Sequence, residues 1–159
     1  MKILLVTEYF PPKIFGGGEI STEILAKTLS NEGFDIHVLT SGQKGLNKYQ
    51  EKNKIHIHRL LKTGSNPSSI IENFKRLFFF QKSIKKEIKK LDKQEKFDII
   101  HFLNTTSIPT FKLKTNAKKI ATYNSYTNFC PKRNLFYKDK KTCSGPKYFK
   151  CMACLAHSD

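Results

Sequence analysis

A chain of 159 residues has room for one ordinary domain and excludes the paired domains of most large transferases and dehydrogenases. Its 38% hydrophobic and 12% aromatic content is enough for a core and excludes global disorder. The 29 Lys and Arg against 13 Asp and Glu give a net charge of +16, yet residues 1–45 balance to −1, so the whole excess follows Gly45 and points to an anionic partner: phosphate, nucleic acid or a membrane surface.

The apolar stretch Ile3 to Val6 is too short for a secretion signal, and Leu77 to Phe80 is too short to span a bilayer, so a cytoplasmic protein is expected. Lys2 to Thr7 (KILLVT) is a continuous apolar run of the kind that forms a strand covered on both faces. Glu8 to Gly18 (EYFPPKIFGGG) reads as a long shaped loop, because the proline pair favours an extended path and the glycines permit close approaches that a Cβ forbids. From Glu19 the residues Ile20, Ile24, Leu25, Thr28 and Leu29 recur at helical spacing, with Glu19 and Glu23 near the positive helix end and Asn31-Glu-Gly33 as the stop.

Phe34 to Thr40 (FDIHVLT) is a second strand, which closes one βαβ unit. Ile55 to Leu60 (IHIHRL) alternates and predicts a third strand with one wetter face; His56 and His58 share that face and could bind a metal, but flanked by Lys54 and Arg59 they are read as its solvated side. Residues 66–96 start at Asn66-Pro67 and place Ile70, Ile71, Phe74, Leu77, Phe78, Ile84, Ile88 and Leu91 at helical intervals, as one long helix or two joined near Gln81. Its polar face holds Lys75, Arg76, Lys82, Lys85, Lys86, Lys89, Lys90, Lys93 and Lys96. Phe97 to Leu103 is a fourth strand, Ile108 to Leu113 a short helical piece and Lys119 to Tyr123 a fifth strand. Alternating strands and helices predict an α/β, Rossmann-like, doubly wound parallel sheet over residues 1–125, with the ligand crevice outside the C-terminal ends of the strands. The glycine loop, His101 to Asn104 and Tyr123 to Tyr126 converge there.

Gly16-Gly17-Gly18 opens a helix, and amide groups at a positive helix end seat phosphate or an anionic sugar substituent. The spacing is not a dinucleotide fingerprint, since it reads G-x-G-x-x-Ser21 and lies eight residues beyond the strand, and no Gly-Lys-Ser/Thr follows. A nicotinamide oxidoreductase also fails at Thr40-Ser41, where no acid is present to hold a ribose. In the segment 126–159, Cys130, Cys143, Cys151 and Cys154 include one Cys-x(2)-Cys knuckle. Four thiolates complete a tetrahedral set and nearby lysines favour the thiolate, so structural zinc leads over an iron–sulfur cluster, two disulfides or free thiols.

Glu8-Tyr-Phe-Pro-Pro12, then Gly16-Gly-Gly-Glu19, an amphipathic helix, Gly33-Phe-Asp-Ile-His-Val-Leu-Thr40 and Phe97-Asp-Ile-Ile-His101 together resemble the opening half of family 4 glycosyltransferases. The resemblance implies the N-terminal, acceptor-side half of a two-domain GT-B fold and retaining transfer of a sugar from a nucleotide-sugar donor to a glycan or lipid-linked acceptor. It carries Gly16, Gly17, Gly18 and Glu19 over as residues near the donor, and His101 as the strand-end histidine. Where the family commonly has a His-Asp pair this chain has Asn124-Ser125, and Asn hydrogen-bonds but exchanges no proton. The resemblance further implies a lid or insert for the cysteine segment, no redox cofactor, and a separate donor-binding domain, without which transfer is not expected. That domain belongs to a longer or partner chain.

Lipid-linked acceptors make the basic helix a candidate peripheral contact with an anionic inner membrane face. The other functional class is a zinc-bearing nucleic-acid-binding module, which +16 and the aromatics Tyr126, Phe129, Phe136, Tyr137, Tyr148 and Phe149 favour. The cysteine spacing matches no groove-reading finger and the charge is spread over several elements, which weighs against nucleic acid.

Overall fold

The apolar run at the start of the chain becomes β1 (Lys2–Val6), and its continuous hydrophobicity is explained by its place in the sheet. In the computed structural model, β1 lies between β2 (Asp35–Ser41) and β5 (Ile99–Phe102), paired in parallel with both, and Leu4, Leu5 and Val6 are fully buried. A strand with neighbours on both edges and helices on both faces has no wet side to alternate toward. The structure describes residues 1–63, 79–103, 108–124, 126, 130, 134–138 and 140–156. The expectations for 66–78 and for Asn104, Ser125 and Phe129 lie outside those residues.

The remaining elements of the first unit, Met1–Thr122, are α1 (Gly17–Asn31), β3 (Tyr49–Lys52), β4 (Ile55–Leu61), α2 (Gln81–Glu95), a 3₁₀ turn at Ile108–Lys112 and β6 (Lys118–Ala121). The six strands lie in the order β3-β4-β2-β1-β5-β6. All pair in parallel except β3, which runs antiparallel to β4. The expected parallel sheet therefore gains an unforeseen antiparallel edge. Tyr49–Lys52 (YQEK) is exposed throughout and joined to β4 by Asn53 and Lys54, both with positive φ (53° and 61°). A two-residue turn with both φ values positive matches the twist of a hairpin, but its usual signature is Asn-Gly, and here Lys54 stands at the glycine position. The charged edge also discourages further strand addition.

Two apolar layers flank the sheet. On one face Leu4, Val6, Leu39, Ile100 and Phe102 pack with Phe80, Ile84, Ile88 and Leu91 of the α2 region. On the other, Ile3, Leu5, Ile36, Val38, Ile55 and Ile57 pack with Ala26, Leu25 and Leu29 of α1. The predicted apolar face of α1 is corrected in part: Leu25 and Leu29 pack on the core as expected, but Ile20 and Ile24 are 46% and 60% exposed, and Thr22, Ala26 and Ser30 are buried in their place. Small side chains at four-residue spacing let the helix approach closely, and the two hydroxyls are satisfied, Thr22 by the Gly18 carbonyl (2.8 Å) and Ser30 by that of Asn53 (3.3 Å). The solvated face expected for β4 is also corrected, because His58 and Arg59 are 8% and 3% exposed.

The second unit, Tyr123–Asp159, holds a short antiparallel pair, β7 (Phe136–Tyr137) and β8 (Lys141–Thr142), and the helix α3 (Tyr148–Leu155). Among the described residues no helix is long and apolar enough to cross a membrane.

Candidate functional site

The connection after β1 runs outward to β2 on one side of the sheet, and the connection after its other neighbour, β5, runs outward to β6 on the other. This switch point opens a crevice at the C-terminal strand ends, where α/β sheets bind ligands. The loop after β1 is fixed there through its backbone carbonyls. The Glu8 carbonyl accepts from Ser41 N (3.1 Å), from Thr40 Oγ1 (3.2 Å) and from Ser41 Oγ. Gln43 Nε2 donates to the Phe10 carbonyl (2.8 Å) and Arg59 Nη2 to that of Pro11 (3.2 Å). The Glu8 carboxylate, itself buried, accepts from Thr63 Oγ1 (2.6 Å), so β1, β2 and the end of β4 all hold this loop.

A cavity of about 390 Å³ lies beside it, lined by Tyr9, Pro12, Lys13, Gly42, Gln43, Lys44 and Thr63. Lys13 Nζ stands 5.1 Å and 5.0 Å from the ring centres of Tyr9 and Phe15, which positions a cation by its attraction to aromatic faces. Sequence reasoning missed Lys13, Lys44 and Gln43 as candidate ligand contacts. The signal was available, since each follows a predicted strand at its C-terminal end.

The helix begins earlier than expected, with Gly16 in extended backbone and Gly17 and Gly18 inside its first turn. Neither Gly16 nor Gly17 has a positive φ, and a Cβ on either meets nothing within 4 Å. The fold does not demand glycine at these two positions; what glycine leaves there is access to the backbone. Glu19 Oε2 reaches back to accept from Gly16 N (2.9 Å) and Phe15 N (3.3 Å), so its carboxylate caps the helix. His101 lies in β5 in register with Leu5 and Ile120, half-buried, with Nε2 hydrogen-bonded to Thr122 Oγ1 (2.8 Å). Burial lowers its pKa, so the ring is neutral near pH 7. The glycine turn and His101 thus sit on the two strands of the switch point, while Asn124 belongs to the second unit.

The sequence matches the family model for Glycosyltransferase Family 4 over residues 15–150. The chain belongs to glycosyltransferase family 4. Its structure is similar to that of sucrose-phosphate synthase from Thermosynechococcus elongatus, with a TM-score of 0.60 and 18% identity over 78% of this chain. The matched part is 33% of that protein, so this family 4 chain spans about a third of its neighbour's length. No curated protein matches the sequence. The fold agrees with the Rossmann-like half of a GT-B architecture that the sequence resemblance implies.

In the second unit of this family 4 chain, Cys130, Cys143, Cys151 and Cys154 all line one cavity together with Phe136, Tyr137, Lys150 and Leu155. All four are unbridged thiols. Cys154 Sγ accepts from Lys138 N (3.2 Å), a backbone contact of the kind that stabilises thiolate ligands. Leu135 and Lys138, which flank the β7 strand, have positive φ (56° and 50°), so the chain turns sharply on both sides of it.

At the other end of the sheet His37 and His58 are buried and joined Nδ1 to Nε2 at 3.0 Å. Burial first, and then the neighbouring His37 charge, push His58 down to about 4. Burial likewise lowers His37, against the opposing pull of Asp35, with His56, Glu95 and Lys2 as the other charges facing the pair. A base whose pKa falls on folding costs stability once the unfolded form can take up the proton. In metal-free buffer with chelator, unfolding free energy is therefore expected to fall by about 2 kcal/mol between pH 6.5 and 4. The Glu95 carboxyl, lowered mainly by its hydrogen bond to Lys2, acts in the same direction only below its unfolded value of 4.5. Denaturant titrations at pH 6.5 and 4 check this, and His58→Gln is expected to flatten the slope above pH 4.5.

Proposed function

We propose that this chain is the acceptor-side half of a retaining, nucleotide-sugar-dependent glycosyltransferase, and that transfer requires a donor-binding domain carried on the same polypeptide or on a partner chain. The observation that supports it is the family match over 15–150 on a fold whose glycine turn and His101 sit at the two strands of the switch point. The Gly17 and Gly18 amides, which have no intrahelical acceptor, face the donor diphosphate and sugar, and the absent Cβ atoms admit them closely. Lys13 and Lys44 supply positive charge to an anionic donor or lipid-linked acceptor. A neutral His101 contributes hydrogen bonds to sugar hydroxyls. In this reading these residues serve binding and orientation.

The four cysteines act in this reading as a structural zinc site that orders the segment 123–156. The donor set supports this, since four unbridged thiols in one small unit suit zinc, and the ion would draw their sulfurs closer together than they stand here. Mapping amide shifts on the ¹⁵N-labelled chain as UDP- and GDP-sugars are added tests the substrate reading. Shifts confined to residues 13–19, 44 and the end of β5 are expected, and their absence at millimolar donor overturns it.

The basic helix supports electrostatic membrane contact. Lys82, Lys85, Lys86, Lys89, Lys90 and Lys93 of α2 are exposed, while Ile84, Ile88 and Leu91 are consumed by the core. Adsorption without insertion follows, so it depends on salt. Each lysine contributes about 1 kcal/mol at an anionic surface. Lys85→Glu with Lys89→Glu is expected to lower retention on phosphatidylserine vesicles at least about tenfold at low salt, read by co-sedimentation.

A further inference from the structure

The histidines of β2 and β4 converge on one carboxylate. Asp35 and His37 are two residues apart on β2 and so share a face, and His37 is the register partner of His56 on β4. His37 Nε2 lies 3.3 Å and His56 Nε2 3.6 Å from Asp35 Oδ1. One donor atom from each residue falls within 4.8 Å of the other two. Donors that each sit about 2.0–2.1 Å from a common ion stand about 3.3 Å apart in tetrahedral geometry. The two Asp–His spacings already have that size.

We propose that Asp35, His37 and His56 bind a divalent first-row transition metal ion, zinc being the reference case, and that the ion clips β2 to β4 at the end of the sheet opposite the crevice. The outer contacts fit that role. The far nitrogen of each ring is engaged, His56 Nδ1 with Tyr49 Oη (2.8 Å) and His37 Nδ1 with His58 Nε2 (3.0 Å). Such bonds set the tautomer that leaves Nε2 as the ligand, and they orient the ring. Lys2 Nζ approaches the other oxygen, Asp35 Oδ2, at 3.4 Å, but its charge is matched by Glu95 at 2.7 Å. With Asp35 and Glu95 against Lys2, and Glu51 4.0 Å from His56, the local balance is negative in a chain of +16. Two imidazoles and a carboxylate leave a coordination position for water and suit zinc, cobalt, nickel or ferrous iron over magnesium or calcium. This inference does not depend on the transferase reading.

The cysteines also attract such ions, so the test reads histidine nitrogens. Long-range ¹H–¹⁵N spectra of the reduced, full-length ¹⁵N-labelled chain are recorded through a titration with zinc chloride. The expected result is a joint shift of the His37 and His56 Nε2 resonances that saturates with one equivalent beyond any taken by thiols, with His101 unmoved. Tyr49→Phe, at an exposed position, is expected to weaken that event about tenfold, as loss of an outer contact does at comparable sites. Asp35→Asn is expected to weaken it further. Ring resonances that stay fixed through three equivalents overturn the proposal, and so does an Asp35→Asn chain that binds with unchanged affinity.

Discussion

Gly17→Leu is expected to lower sugar transfer by the assembled transferase about 100-fold while leaving the fold of this half intact. The two effects separate because Gly17 sits in the first turn of α1 without a positive φ, and a Cβ there meets nothing within 4 Å. A side chain is therefore accommodated by the protein and, on the proposed function, points into space that the donor needs. Gly17→Ala sharpens the contrast, since removing glycine's excess freedom in the unfolded chain is expected to raise stability by about 0.5 kcal/mol. Gly33 provides the control. Its φ is +84°, so Gly33→Ala is expected to cost stability of 1 kcal/mol or more and to leave catalysis alone. Thermal melts and kcat/KM of the three variants check the pattern. If Gly17→Leu transfers sugar at the wild-type rate, the glycine turn is not the donor contact.

Much of this was legible in the sequence because the strongest signals were local. KILLVT and FDIHVLT are apolar runs bounded by turn residues, and both became central strands. What failed depended on neighbours distant in sequence. The strand YQEK has no hydrophobic pattern because its neighbour on one edge is water and its stability comes from pairing with β4. On α1 the expected Leu25 and Leu29 do pack, but Ile20 and Ile24 face out and the helix approaches the sheet through Thr22, Ala26 and Ser30, whose small volume matters more than their polarity. His58 and Arg59 looked solvated beside one another, but His58 is matched by His37 across the sheet. Arg59 is buried against Gln50 Oε1 (3.1 Å) and the Pro11 carbonyl, which turns a surface-like residue into a support for the candidate site. At the site itself, glycines and a strand-end histidine have recognisable spacing, whereas Lys13 and Lys44 carry only the weaker signal of following a strand end.

Chelation of the reduced protein is expected to unfold residues 134–156 and leave the sheet of residues 1–122 folded. The second unit has little else to hold it. Its strands are two residues each, its helix has eight, and Tyr148 and Phe149 are 76% and 85% exposed, so the aromatics that open the helix bury little. Its buried side chains include Cys130 and Cys154 themselves. Segments this small rarely order on apolar burial alone, and a structural zinc contributes on the order of 10 kcal/mol of apparent folding free energy at neutral pH. Cys154→Ser removes a buried thiol that lies against the backbone of both Lys138 and Phe136, at 3.2 Å and 3.6 Å. It is expected to reproduce the effect of chelation, and Cys151→Ser to do so less completely because its thiol is only half-buried. Amide spectra in zinc and in chelator check both, with collapse of the 134–156 resonances toward random-coil positions as the expected signature. Dispersed resonances that persist in chelator and reductant show instead that packing around the thiols is sufficient, and then the cysteines are core residues and not ligands.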